Sequence, residues 1–241
     1  MNHMDTEFDQ MHTNPAGPVD IYCRIHKALR ACIGDTLQRL GRLDCDDTLE
    51  VVAVLAQVRG MASFCAGHLE HENRHVHPAM EARLPGSAKV AAGEHEHHAS
   101  ACRKIVALAA VAEQSRAADR EALVARLYRE VALFLADNLV HMHMEETDNN
   151  TILWATHTDD ELVAIEQAIV ASLSAQEKAM SMRWMIPALR PHERVALLET
   201  VRRSAPPQAF EAIMEGLKPL LLATDWSKLM AGLKRGPRLA A

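Results

Sequence analysis

Four stretches of this chain carry apolar residues that step by three or four, and histidine or glutamate breaks into the stripe of each one. A step of three or four marks one face of an α-helix. Four such faces must be buried against one another, so the pattern predicts an all-α fold. The first stripe is Tyr22, His26, Leu29, Ile33, Leu37 and Leu40, on a helix expected to open at Pro18 and stop near Gly41. The second is Val51, Val54, Val58, Met61, Cys65, His68 and Glu72. Its helix opens at the cap cluster Asp46-Asp47-Thr48 and runs to about Arg83, with Pro78 bending or ending the last turns. The third runs from a Ser87 cap to about Gln114 through Ala91, His95, His98, Cys102, Ile105 and Ala109. The fourth runs from about Ala117 to Asp148 through Leu123, Leu127, Val131, Phe134, Asn138, His141 and Glu145. Short connections make neighbouring helices antiparallel. The expected architecture is therefore an up-down-up-down four-helix bundle over residues 18–157. Residues 1–17 read as a disordered lead, and 158–241 as a helical C-terminal extension. That extension opens with a helix over Asp159–Ser174 and is then punctuated by Pro187, Pro191 and Pro206-Pro207.

Composition agrees and removes several function classes. Apolar residues make up 49% of the 241 residues but aromatics only 4%, which favours helices over sheets. A net charge of −6 gives no basic footprint for nucleic acid. No continuous apolar run reaches the roughly 18 residues that span a bilayer, so no membrane association is expected. The N-terminus lacks the basic start and apolar core of a secretory signal. Cys23, Cys32, Cys45, Cys65 and Cys102 are odd in number and form no CxxC, which points to free thiols in a reducing cytoplasm. Histidine is the outlier: seven of the 14 fall between His68 and His98.

The polar residues on the stripes share one level. His26 and His95 each lie eight residues into their helices, roughly 12 Å of depth at 1.5 Å per residue. His68 and Glu72, like His141 and Glu145, lie toward the ends of theirs. In an antiparallel bundle, the starts of the first and third helices meet the ends of the second and fourth. Buried carboxylates are costly unless paired or bound to a cation. His68-x-x-x-Glu72 and His141-x-x-x-Glu145 are i, i+4 pairs that can reach one centre from one face. A carboxylate can bridge two metals while imidazoles fill outer positions, and mixed nitrogen and oxygen donors favour iron, manganese or zinc over calcium or magnesium. His71-Glu72-Asn73-Arg74-His75 also matches the zinc-protease pattern HExxH, but that reading gives His26, His95 and His141 no role. His71 and His75 are expected to support the site from behind, Asn138 or Asp137 to orient a ligand, and His77 to lie at the surface.

These residues carry a resemblance. IHKALR around His26, HLEHENRHVHP from His68 to Pro78, GEHEHH around His95 and HMHMEETDNNTILW from His141 to Trp154 resemble the hemerythrin-like family, also called HHE cation-binding domains. The resemblance covers residues 18–157. It implies terminal ligands at His26, His68, His95 and His141, and bridging carboxylates at Glu72 and Glu145. Hemerythrins usually place two histidines four apart on the third helix. Here Glu94 and His98 are four apart, and His95 and His98 three apart, so the third helix offers all three. The metal set read from the sequence is thus His26, His68, Glu72, His95, His98, His141 and Glu145. The resemblance further implies two non-haem iron ions, with manganese or zinc as alternatives, and a small diatomic ligand, oxygen or nitric oxide. The expected function is to bind or sense oxygen, nitric oxide or the iron and redox state, more as a binding protein than an enzyme. Iron storage, repair of iron centres and peroxide reduction are the alternatives, and the C-terminal helices are the expected contact for a protein partner or a second copy.

Overall fold

A computed structural model describes residues 18–235 of the chain; the segment read as a disordered lead lies outside the described residues. No strand occurs among the described residues. Helix α1 spans Cys23–Gly41. It starts five residues later than expected because Asp20, not Pro18, supplies the cap: its carboxylate accepts from the backbone N–H groups of Tyr22 and Cys23 at 2.9 and 3.0 Å. Helix α2 spans Thr48–His71, capped by Asp47 through the N–H groups of Leu49 and Glu50. A π turn, Glu72–Val76, follows and leads straight into α3, His77–Arg83. Pro78 therefore does not end the helix. It falls in the first turn after the wider π turn, where a missing N–H is tolerated. Helix α4 spans Lys89–Gln114. The Ser87 hydroxyl, expected as its cap, is buried without a hydrogen-bond partner among the described residues. The Glu81 carboxylate caps this end instead, accepting from Gly86 and Ala88 at 2.7 and 2.8 Å. Helix α5, Ala117–Met144, runs through a second π turn, Glu145–Asn149, into α6, Asn150–Thr156.

Helices α1, α2, α4 and α5 pack in a closed ring, each against two neighbours: α1 on α2, α2 on α4, α4 on α5 and α5 on α1. Facing side chains meet in opposing order. Glu94 meets His141, His97 meets Asp137 and Lys104 meets Glu130 between α4 and α5. The ring encloses a core of Leu29, Ile33, Val54, Val58, Met61, Ile105, Leu127 and Val131. Burying each such aliphatic side chain stabilises the fold by about 1.5–3 kcal/mol. A second apolar cluster joins Tyr22, Val76, Met80, Ala88 and Leu153, near the chain-entry and chain-exit ends of these helices, to Leu162 of the C-terminal extension. The polar residues of the four stripes lie, along each helix, between these two clusters.

The extension comprises α7 (Asp159–Ser172), α8 (Ala175–Ala188), α9 (Pro191–Ser204), α10 (Pro207–Leu217) and α11 (Ala223–Arg235). Helix α7 stops short of Ser174 because that residue caps α8 in a capping box with Glu177. Helix α8 lies along α1 and α2, with Met180, Trp184 and Met185 packed on the main core. Ion pairs Arg24–Glu166 at 2.5 Å and Lys27–Glu193 at 2.6 Å flank the contact. A third cluster, built on Ile186, Leu198, Leu217, Leu229 and Leu233, holds the last helices together. Gly232 is required there, because a Cβ would stand 2.4 Å from Val195 Cγ2.

The helical stretch Thr48–Arg83 contains no continuous apolar run of bilayer-spanning length, yet it is long and apolar enough to cross a membrane by length and average composition alone. Its Val51, Val54, Val58, Met61 and Cys65 are instead spent on the shared core.

Candidate metal centre

Six side chains from four helices converge in two groups. His26, His68, Glu72 and Glu145 can each offer a donor atom within 4.8 Å of the others, and so can Glu72, His95, His141 and Glu145. Both glutamates belong to both groups. The distances are even: His26 Nε2 to Glu145 Oε2 is 3.3 Å, His68 Nε2 to Glu72 Oε1 3.3 Å, His95 Nε2 to Glu72 Oε2 3.4 Å and to Glu145 Oε1 3.4 Å, and His141 Nε2 to Glu145 Oε2 3.3 Å. Each i, i+4 pair joins the last turn of a long helix to the first residue of the π turn that follows it, and α1 and α4 supply the facing imidazoles. Glu145 and His26 are wholly buried, and Glu72 almost so.

The outer ring nitrogens fix which lone pairs face inward. His26 Nδ1 meets the Glu146 carboxylate at 3.0 Å, His95 Nδ1 meets Asn73 Oδ1 at 2.8 Å and His141 Nδ1 meets the Glu94 carboxylate at 2.7 Å. All three partners are acceptors, so each Nδ1 carries a proton, and in the neutral ring Nε2 is left to present a bare lone pair inward. Arg30 holds Glu146 with two bonds, 2.6 and 2.8 Å. His95 Nε2 and His141 Nε2 face each other at 3.1 Å. Two imidazole nitrogens bound at right angles to one first-row ion, at about 2.1 Å each, stand about 3 Å apart. His26 Nε2, His68 Nε2, Glu72 Oε2 and both Glu145 oxygens are buried without a hydrogen-bond partner among the described residues. Such a set is costly as it stands and fits bound metal cations.

The charges agree. Burial and the nearby Glu145 carboxylate push the Glu72 carboxyl well above its usual range. Burial also acts to raise Glu145, but the close approach of His26 and His95 outweighs it and holds that group well below. Burial and the neighbouring His26 push His68 down, leaving it neutral and able to bind metal. Burial opposes the charge on His26 as well, yet Glu145 and Glu146 overcome it and raise its pKa. Glu146 is itself lowered to about 2, because His26 and Arg30 outweigh its partial burial.

A family model for the hemerythrin HHE cation-binding domain matches residues 17–151, more than half of the chain. The chain belongs to the hemerythrin HHE cation-binding family. Comparisons with curated proteins and with solved structures return no match.

Within this hemerythrin-like centre, the structure brings together His26, His68, Glu72, His95, His141 and Glu145 and leaves His98 apart. His98 is buried with its ring edge-on to His141 and Phe134, and its Nδ1 has no partner among the described residues. Burial, and then His141, lower it to about 4. Glu94 serves His141 from outside. His71 faces the extension instead of the centre, meeting Glu177 and Ser172 at 3.2 Å each. Asn138 donates to the Phe134 carbonyl of its own helix, and Asp137 lies by the exposed His97. Neither therefore orients a centre histidine. His77, expected at the surface, is only 6% exposed and stacks on His95 with centroids 4.7 Å apart. Burial, and then His95, push it down to about 4. Sequence reasoning missed Asn73, Glu146 and Arg30 as supports. The available signal was position: Asn73 and Glu146 each directly follow one of the two central glutamates. Tyr22 closes the other side, wholly buried, its ring 5.3 Å from that of His26 and its hydroxyl accepting from Asn149 at 3.4 Å.

Proposed function

We propose that this chain is a non-haem di-iron protein that binds or senses oxygen, nitric oxide or the iron and redox state. Its bundle is up-down-up-down over residues 18–157, followed by a helical extension over 158–241. The opposing order of contacts between α4 and α5 supports that topology. One observation carries the functional reading: two four-residue donor groups share both of their carboxylates. His26 and His68 would hold one ion and His95 and His141 the other, with Glu72 and Glu145 belonging to both donor groups. Bound iron supplies exchangeable electrons and a coordination position that a small ligand can take.

The chain's own residues do the rest. Glu146, Asn73 and Glu94 keep the protons of His26, His95 and His141 on the outer nitrogens, and so orient the rings. Tyr22, Val76, Met80 and Leu153 form the apolar cluster beside the centre and exclude water. Such a dry wall favours a small uncharged ligand over a polar substrate. Five free cysteines, four of them buried, fit a cytoplasmic setting.

The test is anaerobic iron loading followed by exposure to oxygen or nitric oxide. A reversible change in near-ultraviolet and visible absorption is expected. Iron that is retained while neither gas alters the spectrum contradicts the reading. Steady peroxide turnover that Glu72→Ala abolishes would make the protein an enzyme instead.

A further inference from the structure

The family match ends at residue 151, yet the extension beyond it reaches back to the centre. Helix α7 packs on the first π turn, Glu72–Val76, where Leu162 joins Val76 in the second apolar cluster. Its last residue, Ser172, and Glu177 in the first turn of α8 then enclose His71, the residue before Glu72. The Ser172 hydroxyl donates to the Ile169 carbonyl at 2.7 Å, so it accepts from His71 Nδ1 at 3.2 Å. His71 Nε2 meets Glu177 Oε1 at 3.2 Å. Gly67, one turn earlier on the same face, brings the bare backbone of α2 beside that carboxylate; a Cβ there would stand 3.6 Å from Glu177 Oε1. The other Glu177 oxygen accepts from the Ser174 N–H at 2.8 Å, within the capping box of α8. One carboxylate therefore ties the start of α8 to the last residue of α2.

That residue stands where the backbone passes from α to π. A π turn is a single wide turn inserted in an α-helix, and its place decides where the side chains on it point. Here the first side chain on it is Glu72, whose two oxygens lie 3.3 Å from His68 Nε2 and 3.4 Å from His95 Nε2. The second π turn, Glu145–Asn149, is held from within the bundle, where Arg30 grips Glu146 with two bonds. The first is held from the extension. Two further contacts flank His26 on α1: Arg24 pairs with Glu166 and Lys27 with Glu193. The apolar side chains of α8, Met180, Trp184 and Met185, pack on the main core instead. Polar contacts are thus what join the extension to the level of the centre.

We propose that Glu177 is a positioning residue of the metal centre, acting through His71 on the first π turn and so on the Glu72 carboxylate. The docked extension and the occupied centre then stabilise each other. Such coupling is reciprocal: the factor by which docked α8 tightens metal binding is the factor by which metal tightens the docking of α8. A change in the metal state of the centre is in this way passed to the extension. The proposal rests on the metal-site reading above.

Anaerobic iron(II) titration of the full-length protein with chelator competition tests it, together with backbone hydrogen exchange over residues 175–188. Glu177→Ala should weaken iron binding about tenfold. Ser174→Ala removes the hydroxyl of the same capping box but leaves His71 its partner, and should bind iron as the wild type does. Glu177→Gln can serve both places, its carbonyl on the Ser174 N–H and its NH2 on His71 Nε2, and should recover most of the affinity. Iron should slow exchange over residues 175–188 of the wild type by a similar factor, and should have no such effect in Glu177→Ala. Equal iron affinity in Glu177→Ala and the wild type, or an equal loss in Ser174→Ala, would overturn the role of Glu177. So would wild-type exchange over residues 175–188 that iron leaves unchanged, a result that needs no variant to fold. A wild type that takes up no iron would overturn instead the metal-site reading beneath it.

Discussion

Glu72 and Glu145 sit nearly dry with their oxygens directed at histidines and at each other, and that placement decides how individual residues behave. In the metal-free protein, Glu72 carries the strain, since burial and Glu145 both disfavour its charge. Glu72→Gln should therefore abolish binding of at least one ion yet leave the metal-free fold no less stable, with a gain on the order of 1 kcal/mol in urea denaturation. A residue that only packs would show the reverse. Acid behaviour follows from the buried His98 and His77, both lowered to about 4. For His98, that folded pKa lies below the unfolded value of roughly 6.5. The unfolded chain takes up that proton first, so His98 costs the metal-free protein stability as pH falls from about 6.5 to about 4. His98→Phe should flatten the stability curve in that window, and an unchanged slope would contradict the assignment. Glu146, lowered to about 2, adds a separate loss that begins below its ordinary value of 4.5 and completes near pH 2. The central histidines and glutamates were legible in the sequence because each interrupts an apolar stripe at helical spacing. The burial of His77 was not legible, because a π turn shifts the phase that a 3.6-residue period assumes.

At the scale of helices, the caps and π turns set where each ligand-bearing face points. Asp47 bonds two N–H groups at the start of α2, so Asp47→Ala should cost about 1 kcal/mol in thermal unfolding while leaving metal content intact. Loss of metal in that variant would mean that the helix start and the centre are coupled, which the 24-residue length of α2 between them argues against. Helix existence was readable from stripes and punctuation. Cap identity was less so: Ser87 lies where a cap belongs, but Glu81 reaches it from the preceding turn. Pro78 looks like a terminator only if the turn before it is assumed to be regular.

For the molecule as a whole, the extension is part of the fold. Helix α8 covers α1 and α2, and Trp184 rests on the main core. Trp184→Ala should lower unfolding stability by about 2 kcal/mol without changing metal content, as measured by denaturation and elemental analysis. Proline punctuation marked the extension as short helices, but which surface α8 covers depends on packing between segments more than a hundred residues apart. The central claim concerns the other end of the scale, two ions held by one pair of carboxylates. The most direct test is elemental analysis of anaerobically prepared protein beside its Glu145→Ala variant. Two metal ions per chain in the wild type, with both lost or severely depleted in the variant, is the expected result. One ion or none in the wild type, or two ions kept without Glu145, would contradict the shared-carboxylate centre.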